Sequence, residues 1–309
     1  MTKVFIDGSS GTTGLRIHER LKERKDLDLI ILPDELRKNN DAIRAALNES
    51  DISFLCLPDA AAAEAVSLLD NKQTIIIDTS TAHRTLDDWA YGFPEIKGLR
   101  NKILSSRRIA NPGCHASGFI SLVAPLIYNR LIDADTVLTC FSLTGYSGGG
   151  KKMIADYENP ERNTLLDAPR MYGLSQAHKH LPEMKKIAGL EKAPVFCPVV
   201  GDFYSGMEVT VSLEAGQVKG GIQAVKEAYA LYYDDSKGLV RFTEADDGDG
   251  FLSAGAFSGR DDMEVSVFGN DDRLILVSRF DNLGKGASGA AIQNMNIVMG
   301  IDEKTGLNC

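Results

Sequence analysis

The N-terminal third of the chain alternates short, nearly continuous apolar runs with stretches whose apolar positions recur every three or four residues. Val4–Asp7, Leu29–Leu32, Ile52–Leu57 and Thr74–Asp78 read as strands, and Leu15–Arg24, Asp41–Leu47 and Ala60–Leu69 as the helices between them. Apolar strands separated by helices predict a parallel sheet covered on both faces. Near residue 113 the pattern changes. Val137–Leu143, Val195–Val200, Glu208–Leu213, Met263–Phe268 and Arg273–Phe280 are strand-like. Val209, Val211 and Leu213 alternate with polar positions, as in an antiparallel sheet with one solvated face. A helix is expected over Phe119–Leu131, its apolar face formed by 119, 123, 126, 127 and 131, and others over Ile222–Tyr233 and Ala287–Ile301. No repeat or low-complexity linker interrupts these elements.

The first strand runs into Gly8-Ser9-Ser10-Gly11-Thr12-Thr13-Gly14 and then a helix. This G-x-x-G-x-x-G is a relative of the dinucleotide fingerprint, in which glycines let the backbone turn tightly and approach a pyrophosphate at the helix N-terminus. Past the second strand stand Asp34 and Glu35, then Arg37 and Lys38. An acidic residue there suits the ribose of NAD, and cations suit the 2′-phosphate of NADP. The adjacent cations favour NADP.

The sharpest chemical signal is Asn111-Pro112-Gly113-Cys114, which sets a cysteine after a Pro-Gly turn at the mouth of an apolar helix. Unpaired N–H groups and the positive end of the helix dipole there favour the thiolate, the nucleophilic form. Five cysteines, widely scattered and with no CxxC pair, suggest neither a disulfide framework nor a zinc site, and fit a reducing cytoplasm. His178-Lys179-His180-Leu181-Pro182-Glu183 holds the one histidine cluster. Its i, i+2 spacing is poor for a metal, whereas a cysteine attacking a carbonyl needs a proton donor. His115, beside the cysteine, is the fall-back donor. Gly145–Lys152 nearly spells a phosphate-binding P-loop, but Lys152 replaces the magnesium-holding Ser or Thr, leaving an anion-binding loop around Lys151. Asp246–Gly250 lacks the glutamate of an EF-hand and reads as a solvated turn. A net charge of −9 argues against sequence-independent binding to nucleic acid or anionic membrane. No apolar run is long enough to span a bilayer, and the chain enters its first strand with no signal peptide.

These motifs, with Asp78–Arg84, Tyr91–Glu95 and Phe280–Gly289, give nearly the whole chain a resemblance to the shorter type of N-acetyl-gamma-glutamyl-phosphate reductases, NADPH-dependent enzymes of arginine biosynthesis. The chain departs from the commoner pattern after the cysteine, where His115 and Ser117 replace an aromatic residue and a Thr. The resemblance implies an α/β fold: a Rossmann-type domain of residues 1–113 plus about 287–309, and an α+β catalytic and oligomerisation domain of 114–286. It implies catalysis by Cys114 through a thioester, with His180 or alternatively His178 as acid/base. Cofactor contacts are expected from Gly8, Ser10, Gly11, Thr12, Thr13, Gly14, Arg37, Lys38, Ser80 and Asn282. Arg84, Ser147 and Lys151 are the expected substrate contacts. The expected partners are NADP(H), a small acyl-phosphate substrate and further copies of the chain, as a dimer or tetramer. The competing readings are an aspartate-semialdehyde dehydrogenase, a reductase of carrier-bound aminoadipyl or glutamyl phosphate, and a non-catalytic NADP-binding sensor.

Overall fold

The early alternation forms a six-stranded parallel sheet in a computed structural model that describes residues 1–234 and 238–309. Its elements are β1 (Thr2–Asp7), α1 (Thr12–Leu21), β2 (Leu27–Ile30), α2 (Asn40–Glu49), β3 (Ile52–Leu55), α3 (Asp59–Ser67), β4 (Ile75–Asp78), β5 (Ala90–Tyr91), α4 (Leu99–Ser105) and β6 (Arg108–Ala110). The strand order is β2-β1-β3-β4-β6-β5. Successive strand residues point to opposite faces. Val4, Ile6, Phe54 and Ile77 therefore join one core, while Phe5, Leu55 and Ile76 join another with Ile43, Leu47 and Ala62 of α2 and α3. Both faces are dry, which explains why the strands read as continuous apolar runs. This unit comprises Met1–Pro112 with Ala287–Leu307.

The second unit, Gly113–Gly286 with Asn308–Cys309, opens on α5 (Cys114–Tyr128). There follow β7 (Thr139–Gly145), α6 (Gly150–Glu158), β8 (Arg170–Met171), α7 (Leu181–Ala188), β9 (Val195–Gly201), β10 (Met207–Glu214), α8 (Gly221–Tyr232), β11 (Val240–Phe242), β12 (Met263–Gly269) and β13 (Arg273–Phe280). They form a seven-stranded sheet ordered β11-β12-β13-β10-β7-β9-β8. β10 pairs antiparallel with β7 and β13, as its alternation predicts, but β7–β9 and β11–β12 are parallel, so the sheet is mixed.

α5 differs from its sequence reading in two ways. It begins at Cys114 rather than Phe119, and it is buried all round from His115 to Leu126, with no wet face. Pro125 sits inside it and cannot donate to the carbonyl of Ser121 four residues back. The hydroxyl of Tyr233, just after α8, donates to that carbonyl at 2.6 Å. Gly118 lets α5 lie close to the sheet, since a Cβ there would come within 2.8 Å of Ser278 Oγ.

After a π-helical turn at Gly284–Ser288 the last helix, α9 (Gly289–Val298), returns to the first unit, where Ala291, Ile292 and Met295 enter the core of Val4 and Ile52. Its buried amide N–H groups find acceptors within the unit. Asn294 Nδ2 donates to the Gly92 carbonyl at 2.9 Å, and Gln293 Nε2 donates to Glu95 at 2.8 Å and to Glu303 at 2.7 Å. Among the described residues no helix is long and apolar enough to cross a membrane.

Candidate active site

Cys114 is half-buried in the first turn of α5, behind Gly113 as N-cap. No side chain caps the helix, so its first-turn N–H groups face the thiol's surroundings. Gly286 makes room for the cysteine, because a Cβ there would approach Cys114 Cβ to 2.9 Å. The turn entering α7 brings the histidine motif to the same place. Pro182 occupies the start of α7 and Gly189, at φ 80°, ends it in the left-handed conformation, both as helix-end chemistry prefers. His178 and His180 precede this start, their rings 4.8 Å apart and 5.8 and 5.6 Å from the ring of His115. Glu183, in the first turn of α7 and 1% exposed, accepts the Gly113 N–H at 2.7 Å. The carboxylate of the histidine motif thus grips the backbone one residue before the cysteine.

The three imidazoles differ electrically. Burial pushes His115 down to about 3, with His178 nearby adding to the effect, so it is neutral at physiological pH. Its Nδ1 lies 2.7 Å from Ser142 Oγ, and its Nε2 lies 2.6 Å from Tyr172 Oη. Burial, and then the charge of Lys179, also lower His178, whose Nδ1 accepts the His180 backbone N–H at 3.2 Å. His178 therefore carries its proton on Nε2 when neutral.

In the other unit, Gly8 follows β1 at φ 81°, where a Cβ would strike the Cys56 carbonyl, and a Cβ at Gly14 would strike the Gly8 carbonyl. Gly11 N donates to the Gly8 carbonyl at 2.9 Å, closing the turn, and Gly11 caps α1 without a side chain. This loop stands at the carboxyl end of β1, between β2 and β3 in the sheet order, where doubly wound sheets bind nucleotides. The glycine-tight backbone and bare helix start fit a dinucleotide pyrophosphate.

A family model described as semialdehyde dehydrogenase, NAD binding domain, matches residues 3–105, and one described as semialdehyde dehydrogenase, dimerisation domain, matches 114–282. N-acetyl-gamma-glutamyl-phosphate reductase 2 of Nostoc sp. is 43% identical over 99% of this chain and 99% of its own. The chain belongs to the N-acetyl-gamma-glutamyl-phosphate reductase family. The enzyme of that name from Brucella ovis is 44% identical over 96% of this chain and 99% of its own. The fold is shared more widely. Aspartate semialdehyde dehydrogenase II of Vibrio cholerae, solved in complex with ASA, matches with a TM-score of 0.71 at 17% identity, covering 97% of this chain and 98% of its own.

The remaining expected residues of this member of the reductase family have varied settings. Ser80 is buried at the end of β4, donating through Oγ to Asp78 at 2.7 Å; Asp78 also contacts His83 Nδ1 at 2.6 Å. Arg84 is buried, with Nε on the Asn111 carbonyl and Nη2 on the Thr79 carbonyl, both at 2.9 Å. It braces the strand end that leads to the cysteine. Asn282 and Ser147, expected at cofactor and substrate, bond to each other: Asn282 Nδ2 donates to Ser147 Oγ at 3.0 Å and Oδ1 accepts from Gly206 N at 2.9 Å. Arg37 is exposed and paired with Asp34 at 2.8 Å; Lys38 is exposed. Lys151 is exposed at the start of α6. Tyr172 and Ser142 escaped the sequence reading, since neither sits in a recognisable motif and only the fold brings them to His115.

Proposed function

We propose that this chain reduces N-acetyl-gamma-glutamyl phosphate to N-acetylglutamate semialdehyde and phosphate, a step of arginine biosynthesis, using NADPH and a thioester on Cys114. The observation that carries this reading is the start of α5, where a thiol opens a fifteen-residue helix, its N-cap held by Glu183 and two further histidines beside it.

The helix start favours the Cys114 thiolate. The sulfur attacks the γ-carbonyl carbon, the bond from carbon to the phosphate oxygen breaks, and a thioester remains. The leaving phosphate takes one proton, which His180 supplies. First-turn N–H groups of α5 stabilise the negative charge that develops on the carbonyl oxygen. A bound nicotinamide cofactor supplies a hydride, the two electrons that take an acyl group to an aldehyde. Cleavage of the carbon–sulfur bond then releases the semialdehyde and regenerates the thiolate. His115, neutral down to about pH 3, is unsuited to the acid's role. His178 orients the turn by accepting the His180 N–H.

Gly8–Gly14 is the proposed pyrophosphate loop, with Arg37 and Lys38 at the 2′-phosphate. The Arg37–Asp34 pair is a surface ion pair, worth about 0–1 kcal/mol, and yields readily to a phosphate. Lys151 is the cation proposed for the substrate's anionic groups. A nucleophilic thiol needs a reducing compartment, here the cytoplasm, and the chain works as a dimer or tetramer.

The test is phosphate-dependent reduction of NADP⁺ by the purified full chain. N-acetylglutamate semialdehyde supports turnover and aspartate semialdehyde does not; Cys114→Ser abolishes turnover while NADP(H) binding persists. Replacing Arg37 and Lys38 by Ala raises KM for NADP⁺ and leaves NAD⁺ kinetics unchanged. Equal use of the two aldehydes, or an active serine variant, overturns the reading.

A further inference from the structure

Between β11 and β12 the chain runs from 243 to 262 without regular structure, and a connection that long is uncommon inside a compact unit. Two side chains at the end of β13 hold it. Arg279 pairs with Asp247, near the start of the connection, at 2.6 Å and with Glu264 at 2.7 Å. Phe257 lies among the guanidinium groups of Arg241, Arg260 and Arg279, at 5.4, 5.2 and 5.8 Å from its ring centre. Asp281 takes the far end. It is fully buried, and both carboxylate oxygens meet donors. Oδ1 accepts the Leu283 N–H at 2.7 Å; Oδ2 accepts the Gly259 N–H at 2.5 Å and Ser205 Oγ at 3.3 Å. A carboxylate only accepts, so Ser205 gives its proton to Asp281, and Ser258 Oγ, 2.6 Å from Ser205 Oγ, donates to Ser205 in turn.

Three stretches far apart in sequence, 205–206, 254–261 and 281–286, therefore meet at one buried carboxylate. They meet without room to spare: a Cβ on Gly206 would strike the Ala254 carbonyl, and one on Gly284 would strike the Arg260 carbonyl. The same residue shapes the turn beside the nucleophile. The Asp281 carbonyl accepts the Gly284 N–H at 3.1 Å and the Gly286 N–H at 3.0 Å. Gly286 is the residue whose missing Cβ makes room for Cys114 Cβ. A shift of Asp281 is thus passed through one backbone hydrogen bond to the wall of the thiol's pocket. We infer that Asp281 is a positioning residue for the reaction: its carboxylate anchors it to the 254–261 stretch, and its carbonyl holds Gly286 against Cys114.

The inference rests on Cys114 as the nucleophile, which Cys114→Ser tests separately. In Asp281→Asn the amide keeps one acceptor and sets its NH₂ group against the N–H of either Leu283 or Gly259. One anchor is lost and the turn loosens. The kcat is expected to fall about ten- to a hundredfold, while KM for aldehyde and cofactor stays within about twofold. The full chain is also alkylated with iodoacetamide across pH, which needs no turnover, and each cysteine peptide is quantified by mass spectrometry. The Cys114 rate at the high-pH plateau is expected to rise severalfold in the variant, because Gly286 no longer closes that side of the thiol. The midpoint, set by the start of α5, stays where it is. Cys140, fully buried on β7, reports global unfolding and stays unreactive. Gly286→Ala drives a methyl group toward Cys114 Cβ and lowers kcat by itself; it costs less in the Asp281→Asn background, where the turn can yield. An unmoved kcat, an unmoved Cys114 rate, a Cys140 rate rising in step with that of Cys114, or equal costs of Gly286→Ala in the two backgrounds overturns the inference. A wild type that turns over no acyl phosphate sinks the reading of function instead, and alkylation alone then decides the role of Asp281. If Asp281→Asn fails to fold, Ser205→Ala, which removes the longest of the three contacts, decides by the same signs at smaller amplitude.

Discussion

A carboxylate with 1% exposure must be met by donors, and Glu183 meets the Gly113 N–H. That bond fixes the backbone entering Cys114 without touching the sulfur. Removing it in Glu183→Ala loses a charge-assisted hydrogen bond worth roughly 1.5–3 kcal/mol, which, expressed at the barrier, is about ten- to a hundredfold in kcat. Glu183→Gln keeps an acceptor and retains most of the activity; steady-state kinetics showing both variants equally impaired would assign the effect to charge rather than position. Asp7 is a second buried carboxyl, at the end of β1. Burial pushes it up to about 6, with a Gly8 N–H pulling the other way. The folded state holds its proton more tightly than the unfolded chain, whose carboxyl titrates near 3.8. Its contribution to stability is therefore full below about pH 4 and lost as pH rises through about 6. Asp7→Asn should melt higher than wild type at pH 7.5, the difference closing between pH 6 and 4; a constant difference would mean the carboxyl ionises normally. At this scale much was legible. A cysteine after Pro-Gly and a His-x-His-x-Pro-Glu run both announce themselves. The partners of His115 do not, because they come from β7 and from the loop after β8 and carry no local pattern.

Elements were legible where periodicity ran long. β1, β3, β4, β10 and β13 lie close to their expected ranges, while α4, α6 and α7 were not anticipated: each is under ten residues and offers too few turns for a period to show. α5 departs from its one-faced reading because the small residues off the apolar face, Ser121 and Ala124, look solvent-tolerant but are both buried. Its interior proline is tolerated through a side chain from another element. Tyr233→Phe strips the Ser121 carbonyl of that donor and should cost about 1–3 kcal/mol in chemical denaturation. In a Pro125→Ala background the helix supplies its own N–H, so the same change should cost much less. Equal costs in the two backgrounds would show that Tyr233 contributes only its ring.

At the scale of the molecule the outer face of the second sheet stands out. Register places Phe141 of β7, Val195 of β9 and Ile275 of β13 on one side of the sheet, at 41%, 49% and 41% exposure. Apolar side chains so arrayed on a sheet suit burial against a second copy of the chain. Phe141→Glu should lower the molar mass in analytical ultracentrifugation to that of a monomer; an unchanged mass would place the contact elsewhere.

The placement of α9 bears on the order in which the protein takes shape as it is made. The strands of the first sheet have all been synthesised once Ala110 is reached, yet that sheet's core also takes Ala291, Ile292 and Met295. Those residues emerge roughly 180 positions later, about 10–40 s at ordinary rates of translation. Through that interval the nascent first unit exposes an apolar seam that only the last helix can close. A ribosome stalled short of Gly289 would hold a sticky intermediate, a natural client for a chaperone.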